Sequence, residues 1–187
     1  MPTEQEYGQL LLDLATNKSD MQGHIQFLHD TVVRRSAQIV LELGTNTGKS
    51  TLAFLLGLQK TNGILYSCDI APCQQAIKNI NKWELSKHWQ FTQMDDRNFV
   101  KTWTTPIDIL LIDTDHTMEH TLQELKLFAP HVKSDGIILI HDMACIQFGP
   151  NELTALCKFL AGEPQGKWFF SMHTHCYGMG MLERTKA

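Results

Sequence analysis

The stretch that decides the fold spans residues 39–50 and reads IVLELGTNTGKS. A short, branched apolar run is followed by a glycine-rich turn from Gly44 to Gly48 and then by the apolar residues 51–58. This order predicts a buried strand, a loop and a helix, and the loop glycines allow the backbone to approach a ligand closely. Because ligands of open α/β sheets bind beyond the carboxyl ends of the strands, we expect a binding site at this loop.

Two familiar nucleotide-binding loops do not fit this turn. A phosphate loop has four residues between its first glycine and its Gly-Lys-Ser/Thr ending, whereas three residues separate Gly44 from Gly48. The nest of N–H groups that wraps a phosphate depends on that loop length. The dinucleotide fingerprint Gly-x-Gly-x-x-Gly cannot be aligned here without losing a glycine. The sequence therefore favours neither a nucleoside triphosphate nor a dinucleotide.

Composition restricts the classes of function. The 187 residues are 43% hydrophobic and 19% charged, which is ordinary for one globular domain. A net charge of -4 and the lack of a basic run longer than Arg34-Arg35 argue against a nucleic-acid surface. The acidic start predicts no signal peptide, and no stretch approaches the roughly 18 apolar residues of a membrane span. Five cysteines without a Cys-x-x-Cys pair indicate a reducing compartment. We expect a cytoplasmic protein that binds neither nucleic acid nor membrane.

The order of apolar patterns predicts the architecture. Residues 1–36 are expected to form two N-terminal helices, which either pack on the sheet edge or cover the pocket. Residues 37–187 are expected to alternate strands and helices and to end in two strands with no helix between them. The predicted fold is α/β, with a Rossmann-like, doubly wound, mostly parallel seven-stranded sheet and an antiparallel C-terminal hairpin. The predicted strands are 39–43, 63–69, 88–94, 107–112, 137–140, 168–174 and 179–184.

Local turn chemistry adds three expectations. Pro72 is suited to open a helix, Asp135-Gly136 to form a turn, and Asn151 to cap a helix that runs to about Ala161. Most of the nine histidines are expected on helix surfaces or in loops, among them His24, His29 and His131.

Five predicted strands end in polar side chains. In a parallel sheet those ends meet at one edge, so we expect these side chains to lie together, although a single acid after a strand is usually a cap or a turn former. They are Glu42, Asp69, Asp95-Asp96, the group Asp113, Asp115 and His116, and the pair His141-Asp142.

The pattern Glu-x-Gly-x-x-x-Gly from Glu42 to Gly48, with Asp69 closing the next strand, resembles the cofactor loop of class I S-adenosylmethionine-dependent methyltransferases. Asp69 lies where a carboxylate takes the ribose hydroxyls of an adenosine. The resemblance implies that the loop lies beneath the methionine part of the cofactor, that Asp95-Asp96 lies near the adenine, and that residues 37–187 form the methyltransferase domain. The implied cofactor contacts are Glu42, Gly44, Thr45, Asn46, Gly48, Ser50, Asp69, Ile70, Asp95, Asp96 and Asp113.

A second group of polar residues, at the ends of the fourth and fifth strands, suits a cation. Carboxylate oxygens and an imidazole from neighbouring strand ends can hold Mg²⁺ or, because of the imidazole, a transition metal. A cation beside the acceptor would lower the pKa of a bound hydroxyl and orient it. The pair His173 and His175 offers a weaker alternative, since two residues apart on a strand both imidazoles share a face.

The resemblance becomes more specific in residues 112–142. IDTDH at 112–116, Glu124, LFAP at 127–130, Gly136 and IHD at 140–142 resemble small-molecule O-methyltransferases of the Methyltransferase 24 type. These are relatives of the cation-dependent catechol and caffeoyl-coenzyme A O-methyltransferases, in which an acid after strand four and an acidic pair after strand five hold the metal.

Carried onto this chain, the resemblance implies Asp113, His141 and Asp142 as metal ligands, with His141 departing from the family's carboxylate. It implies Asp113 and His116 as catalytic residues, and His116 occupies the place of the family's lysine base. Histidine has an ordinary pKa near 6.5 and suits a base at neutral pH.

The sequence thus predicts methyl transfer from S-adenosylmethionine to an oxygen of a small-molecule acceptor, assisted by Mg²⁺ or another divalent cation. Two alternatives stay open: a non-catalytic module that binds S-adenosylmethionine, and a metal-dependent hydroxylase or hydrolase of related fold. The acceptor and the oligomeric state, a homodimer included, are also open.

Overall fold

The computed structural model describes residues 2–145, 147 and 149–185. One seven-stranded sheet runs through it in the order β3-β2-β1-β4-β5-β7-β6. The first five strands are parallel, and β7 is antiparallel to both of its neighbours. The predicted Rossmann-like sheet with an antiparallel C-terminal hairpin is therefore confirmed. The strands are β1 (Ile39–Leu43), β2 (Ile64–Asp69), β3 (Trp89–Gln93), β4 (Ile107–Ile112), β5 (Val132–His141), β6 (Trp168–His173) and β7 (Met179–Arg184).

Seven α-helices accompany the sheet in the described residues. None of them is long and apolar enough to cross a membrane. They are α1 (Glu4–Thr16), α2 (Ile25–Arg35), α3 (Lys49–Thr61), α4 (Gln74–Lys82), α5 (Asp96–Phe99), α6 (Met118–Phe128) and α7 (Asn151–Ala161).

Strand β1 lies in the middle of the sheet, and its alternate side chains build two cores. Val40 packs into a cluster that includes Leu65 and Ile109, whereas Leu41 packs into another that includes Leu110. Successive side chains of a strand point to opposite faces, so both faces of β1 are covered. This double burial explains why the strand is an almost continuous apolar run.

The N-terminal helices pack against α3 and share the first of these cores. Leu28 and Val32 of α2 are fully buried there. Helices α2 and α3 approach closely at Gly57 of α3, where an added Cβ would lie 2.8 Å from Cβ of Val32. Asp20, in the segment between α1 and α2, reaches the wall of the main cavity. The N-terminal segment therefore covers part of the pocket as well as one face of the sheet.

Three local expectations were wrong. Asp135 and Gly136 lie inside β5, at an irregularity in its pairing with β4, and an added Cβ at Gly136 would lie 2.9 Å from the carbonyl oxygen of Ile107. Pro72 precedes α4 rather than opening it, because Cys73 takes a left-handed conformation at the helix boundary. Asn151 begins α7 without capping it, since its side-chain amide donates to the carbonyl of His116 at 2.7 Å.

Candidate functional site

A cavity of about 520 Å³ lies at the carboxyl ends of the parallel strands. It brings together residues from four of the five predicted strand ends. Seven of the predicted cofactor residues line it: Gly44, Asn46, Asp69, Ile70, Asp95, Asp96 and Asp113. Asp113, His116 and Asp142, predicted for catalysis or metal binding, line the same cavity.

Glu42 does not line this cavity. Its side chain is fully buried behind the glycine loop, where it accepts hydrogen bonds from the hydroxyls of Ser50, Thr51 and Ser67 at 2.7 to 2.8 Å. Glu42 and Ser50, which we expected to contact the cofactor, bond each other, and neither of them lines the cavity. Burial raises the pKa of Glu42 to about 7, although the three hydroxyls act in the opposite direction.

The two loop glycines are required by the protein's own packing. Gly44 has φ +88°, and an added Cβ would lie 1.8 Å from the carbonyl oxygen of Asp113, directly after β4. Gly48 has φ +83°, and an added Cβ would lie 2.7 Å from Cβ of Ala76. Gly44 lines the cavity, whereas Gly48 and Thr45 lie outside its lining. The loop can therefore pass between β4 and α4 only with glycine at these positions.

Asp69 joins the glycine loop to the cavity. Its Oδ2 accepts the backbone N–H groups of Thr45 and Asn46 at 2.8 and 3.0 Å, and its Oδ1 accepts that of Ala71 at 2.8 Å. Burial alone would raise the pKa of Asp69, but these N–H groups outweigh it and lower the pKa. Asp69 is therefore an ionised acceptor at neutral pH. Each oxygen has two lone pairs, so Oδ1 keeps one with which the carboxylate can accept a hydroxyl group of a ligand.

Asp95 forms a different kind of contact. It caps α5 by accepting the N–H of Arg97, and it also pairs with the Arg97 guanidinium through two hydrogen bonds. This pairing holds the pKa of Asp95 far below its usual value. The neighbouring Asp96 is nearly buried and contacts Nε2 of His120 at 3.1 Å. Both acids therefore form part of the cavity wall with their own protein partners.

The three predicted metal ligands do come together. His141 Nδ1 lies 3.2 Å from Oδ1 of Asp113 and 3.3 Å from Oδ2 of Asp142. His141 itself is buried behind the cavity wall. Burial lowers its pKa, but its hydrogen bonds to the two carboxylates, and their charges, outweigh burial and raise the pKa to about 11. In the absence of a cation the imidazole is thus positively charged between two acids.

His116, the predicted base, has a partner that the sequence did not reveal. Its Nδ1 lies 3.2 Å from Oε1 of Glu152 and 3.2 Å from Oδ2 of Asp142. Its hydrogen bond to Glu152 raises the pKa of His116, and burial only partly opposes this. Glu152 lies in α7 and is buried. Its position in an amphipathic helix gives no sign that it reaches the strand-end cluster.

A cluster of imidazoles lies behind His141. His24, which we expected on a helix surface, is fully buried, and its ring centroid lies 5.5 Å from that of His141 and 4.8 Å from that of His175. His24 Nε2 contacts the carbonyl of Cys176 at 3.2 Å, and His175 Nε2 contacts that of Gly23 at 2.9 Å. These contacts fasten the N-terminal segment to the turn before β7. In the described part of the chain, none of the ligand clusters with metal-binding geometry includes His173 or His175.

The fold and the cavity are those of the Rossmann-like class I methyltransferases: a glycine loop after the first strand, an acid after the second, and a polar cluster after the fourth and fifth. A sequence model of the Methyltransferase 24 family, described as a methyltransferase domain, matches residues 41–143. The chain belongs to this methyltransferase family. A comparison with curated protein sequences found no match.

Solved structures of similar fold include several methyltransferases. The O-methyltransferase from Bacillus cereus in complex with SAH is 18% identical, with a TM-score of 0.73 over 99% of this chain and 93% of that one. The SAH-bound methyltransferase PaMTH1 of Podospora anserina is 16% identical, with a TM-score of 0.71 over 100% and 98%. The O-methyltransferase TomG of Streptomyces achromogenes, in complex with SAM and involved in tomaymycin synthesis, is 12% identical, with a TM-score of 0.73 over 98% and 92%. At these identities the likeness shows the fold.

Proposed function

We propose that this protein transfers the methyl group of S-adenosylmethionine to an oxygen of a small-molecule acceptor. The observation that carries the proposal is the ionised Asp69, held by the glycine loop in the same cavity as Asp113 and His116. Family membership supports methyl transfer. The cofactors named for the Bacillus cereus and Streptomyces achromogenes enzymes support S-adenosylmethionine, and both are named as O-methyltransferases.

The cofactor would bind along the loop side of the cavity. Asp69 would accept a ribose hydroxyl, and Ile70, which is 75% exposed beside it, would cover one face of the adenine. Asp95 and Asp96 would lie at the adenine end. Gly44 and Asn46 would border the methionine part, which places the methyl group toward Asp113. Glu42, Thr45, Gly48 and Ser50 would act by shaping the loop.

The chemistry requires an aligned acceptor and the removal of one proton. Methyl transfer from a sulfonium is an in-line displacement, in which the acceptor oxygen forms the new C–O bond while the C–S bond breaks. The acceptor's hydroxyl proton would pass to His116. Because Nδ1 of His116 faces Glu152 and Asp142, Nε2 is the basic nitrogen of its neutral form.

The cluster of Asp113, His141 and Asp142 fits a divalent cation. Ligand atoms bound at about 2.1 Å lie about 3 Å from one another, and the spacings of 3.2 and 3.3 Å around Nδ1 of His141 agree with this. Two carboxylates and one imidazole suit Mg²⁺ or Mn²⁺. A bound cation would orient the acceptor oxygen and lower its pKa. His141 Nδ1 would have to release its proton, because a ligating imidazole nitrogen carries none.

The acceptor is proposed to be a small molecule rather than nucleic acid or membrane. The cavity wall is rich in carboxylates, and the chain has a net charge of -4, so a polyanionic acceptor would be repelled. A non-catalytic module that binds S-adenosylmethionine would share the same cofactor contacts. The cluster of Asp113, Asp142, His116 and Glu152 favours catalysis, because binding alone needs no base held by two acids.

Isothermal titration calorimetry with S-adenosylmethionine tests the proposal. We expect Asp69→Ala to weaken binding about tenfold or more, since a hydroxyl contact to an ionised acceptor and the hydrogen bonds that hold the glycine loop would be lost. Asp13→Ala, on the exposed face of α1, is the matched control and should leave the affinity unchanged. An unaltered affinity in Asp69→Ala, or no binding by the wild type, would overturn the cofactor assignment. Turnover with hydroxylated acceptors then separates the enzyme from the binding module.

A further inference from the structure

A second group of potential ligands lies on the wall of the cavity, away from the glycine loop. It consists of Asp96 at the start of α5 and His120 and Glu124 on α6. His120 and Glu124 are one helical turn apart, so their side chains lie on the same face of α6. Asp96 and His120 line the cavity, so a solute can reach the group from there.

The ligand atoms of the three residues converge. Nε2 of His120 lies 3.1 Å from Oδ2 of Asp96 and 3.7 Å from Oε1 of Glu124. One potential ligand atom from each residue lies within 4.8 Å of the others. Donor atoms that share one cation at about 2.1 Å are separated by about 3 to 4 Å. The spacing therefore suits a shared cation.

Glu124 carries the second, independent observation. Its side chain is fully buried, and Thr114 donates to its Oε1 at 2.7 Å. Its other oxygen, Oε2, has no hydrogen-bond partner among residues 2–145, 147 and 149–185. A buried carboxylate oxygen without a partner costs free energy, so a ligand that enters the cluster and contacts this oxygen would stabilise the protein.

The charges of these three side chains also favour a bound cation. Two buried carboxyl groups, Asp96 and Glu124, face one imidazole, which carries at most one positive charge. Burial, and then the hydrogen bond that a protonated Glu124 makes to Asp96, raise the pKa of Glu124 well above its usual range. Such a group is stabilised either by a proton on Glu124 or by a cation.

We propose that Asp96, His120 and Glu124 form a divalent-cation site separate from the cluster of Asp113, His141 and Asp142. Two carboxylates and one imidazole suit Zn²⁺ as well as Mg²⁺ or Mn²⁺, and Zn²⁺ serves as the probe of this site. The cation would join α5 to α6 and stiffen this wall of the cavity. The site rests on the geometry of the three residues and is independent of the proposed methyl transfer.

The test measures binding of Zn²⁺ and Co²⁺ to the full chain. Asp142→Asn provides the background, because it disables the other cluster. In that background we expect one Zn²⁺ per chain by calorimetry, weakened about tenfold or more by either Glu124→Gln or His120→Gln. Glu119→Gln, an exposed neighbour on α6, is the matched control and should retain the ion. Bound Co²⁺ should show visible absorption without a thiolate charge-transfer band, which separates this site from the cysteines.

Two outcomes would overturn the proposal. One is the absence of Zn²⁺ binding in the Asp142→Asn background. The other is Zn²⁺ binding that survives both Glu124→Gln and His120→Gln. Because Glu124→Gln changes a buried residue, its melting midpoint is measured as well, and His120→Gln at the cavity wall provides the second variant. Asp69→Ala should weaken cofactor binding while leaving the affinity for this ion unchanged, so the failure of one proposal can be told apart from the failure of the other.

Discussion

The imidazole rings of His24 and His141 lie edge to face, with their centroids 5.5 Å apart and their planes at 81°. Both side chains are buried, and neither Nδ1 of His24 nor Nε2 of His141 has a hydrogen-bond partner in the described residues. Burial, and then the charge of His141, lower the pKa of His24 to about 4. A neutral ring of the N-terminal segment thus supports the charged ring that holds Asp113 and Asp142.

Replacing His24 should weaken both the fold and the site. We expect His24→Ala to lower the free energy of unfolding by about 2–4 kcal/mol, because it leaves a cavity and releases the contact with Cys176. His24→Phe should recover part of this loss by filling the same space. Urea denaturation gives the free energies, with Gln26→Ala on the exposed face of α2 as the control. Equal stability of wild type and His24→Ala would show that the contact between the His24 and His141 rings does not stabilise the fold.

Glu42 should make stability depend on pH. Its pKa is raised from 4.5 to about 7 in the folded protein, so the folded state holds its proton more tightly than the unfolded state does. The stabilising contribution is therefore full below pH 4.5 and declines as pH rises toward 7, by about 3 kcal/mol in all. Glu42→Gln should remove this decline. The measurement is urea unfolding of both proteins between pH 4.5 and 7.5; parallel curves would contradict the prediction.

Gly44→Ala should be strongly destabilising. The new methyl group would meet the carbonyl of Asp113 at 1.8 Å in a residue with φ +88°, so we expect a loss of about 3 kcal/mol or more. Gly149→Ala is the matched control, since Gly149 has φ +75° and no atom of the described residues lies within 4 Å of the added atom. It carries the backbone strain alone and should lose about 1 kcal/mol. Thermal melts compare the stability of the two variants. Similar losses of stability would mean that the backbone shifts to relieve the contact between the new methyl group and the carbonyl of Asp113.

The strand order and the shared edge of acids could be predicted, because both depend on local patterns. Branched apolar runs, turn glycines and the alternation with helices define a parallel sheet, and a parallel sheet brings its strand ends together. Asp69, Asp113 and Asp142 accordingly line one cavity. The sequence also predicted the loop that contains the two glycines at positive φ, but it did not predict their close packing against Asp113 and Ala76.

What could not be predicted depends on side-chain partners distant in sequence. Glu152 reaches His116 from α7, and His24 reaches His141 from the N-terminal segment, yet each lies in a stretch whose pattern indicates only a helix. Glu42 ends a strand as the cofactor acids do, and whether it faces the cavity or three hydroxyls depends on the positions of Ser50, Thr51 and Ser67. Local periodicity contains no information on such contacts.

His116 should set the rate of the proposed reaction. We expect His116→Gln to lower kcat by about 10²–10⁴-fold with little change in cofactor affinity, because it removes the base and no predicted cofactor contact. Since the hydrogen bond to Glu152 raises the pKa of His116, the neutral form that accepts a proton grows as pH increases. The wild-type rate should therefore rise toward alkaline pH, and Glu152→Gln should shift that rise to lower pH. A flat profile in the wild type would exclude His116 as the base.

Removing the divalent cation should slow the proposed methyl transfer without releasing the cofactor. Chelator would leave Asp69 and the glycine loop intact, so calorimetry should give the same affinity for S-adenosylmethionine, while the turnover rate falls and recovers on addition of Mg²⁺ or Mn²⁺. The cation competes with the proton on Nδ1 of His141, whose pKa is about 11. Cation affinity should thus increase with pH. Full turnover in chelator would show instead that the imidazolium of His141, placed between Asp113 and Asp142, supplies the positive charge without any metal.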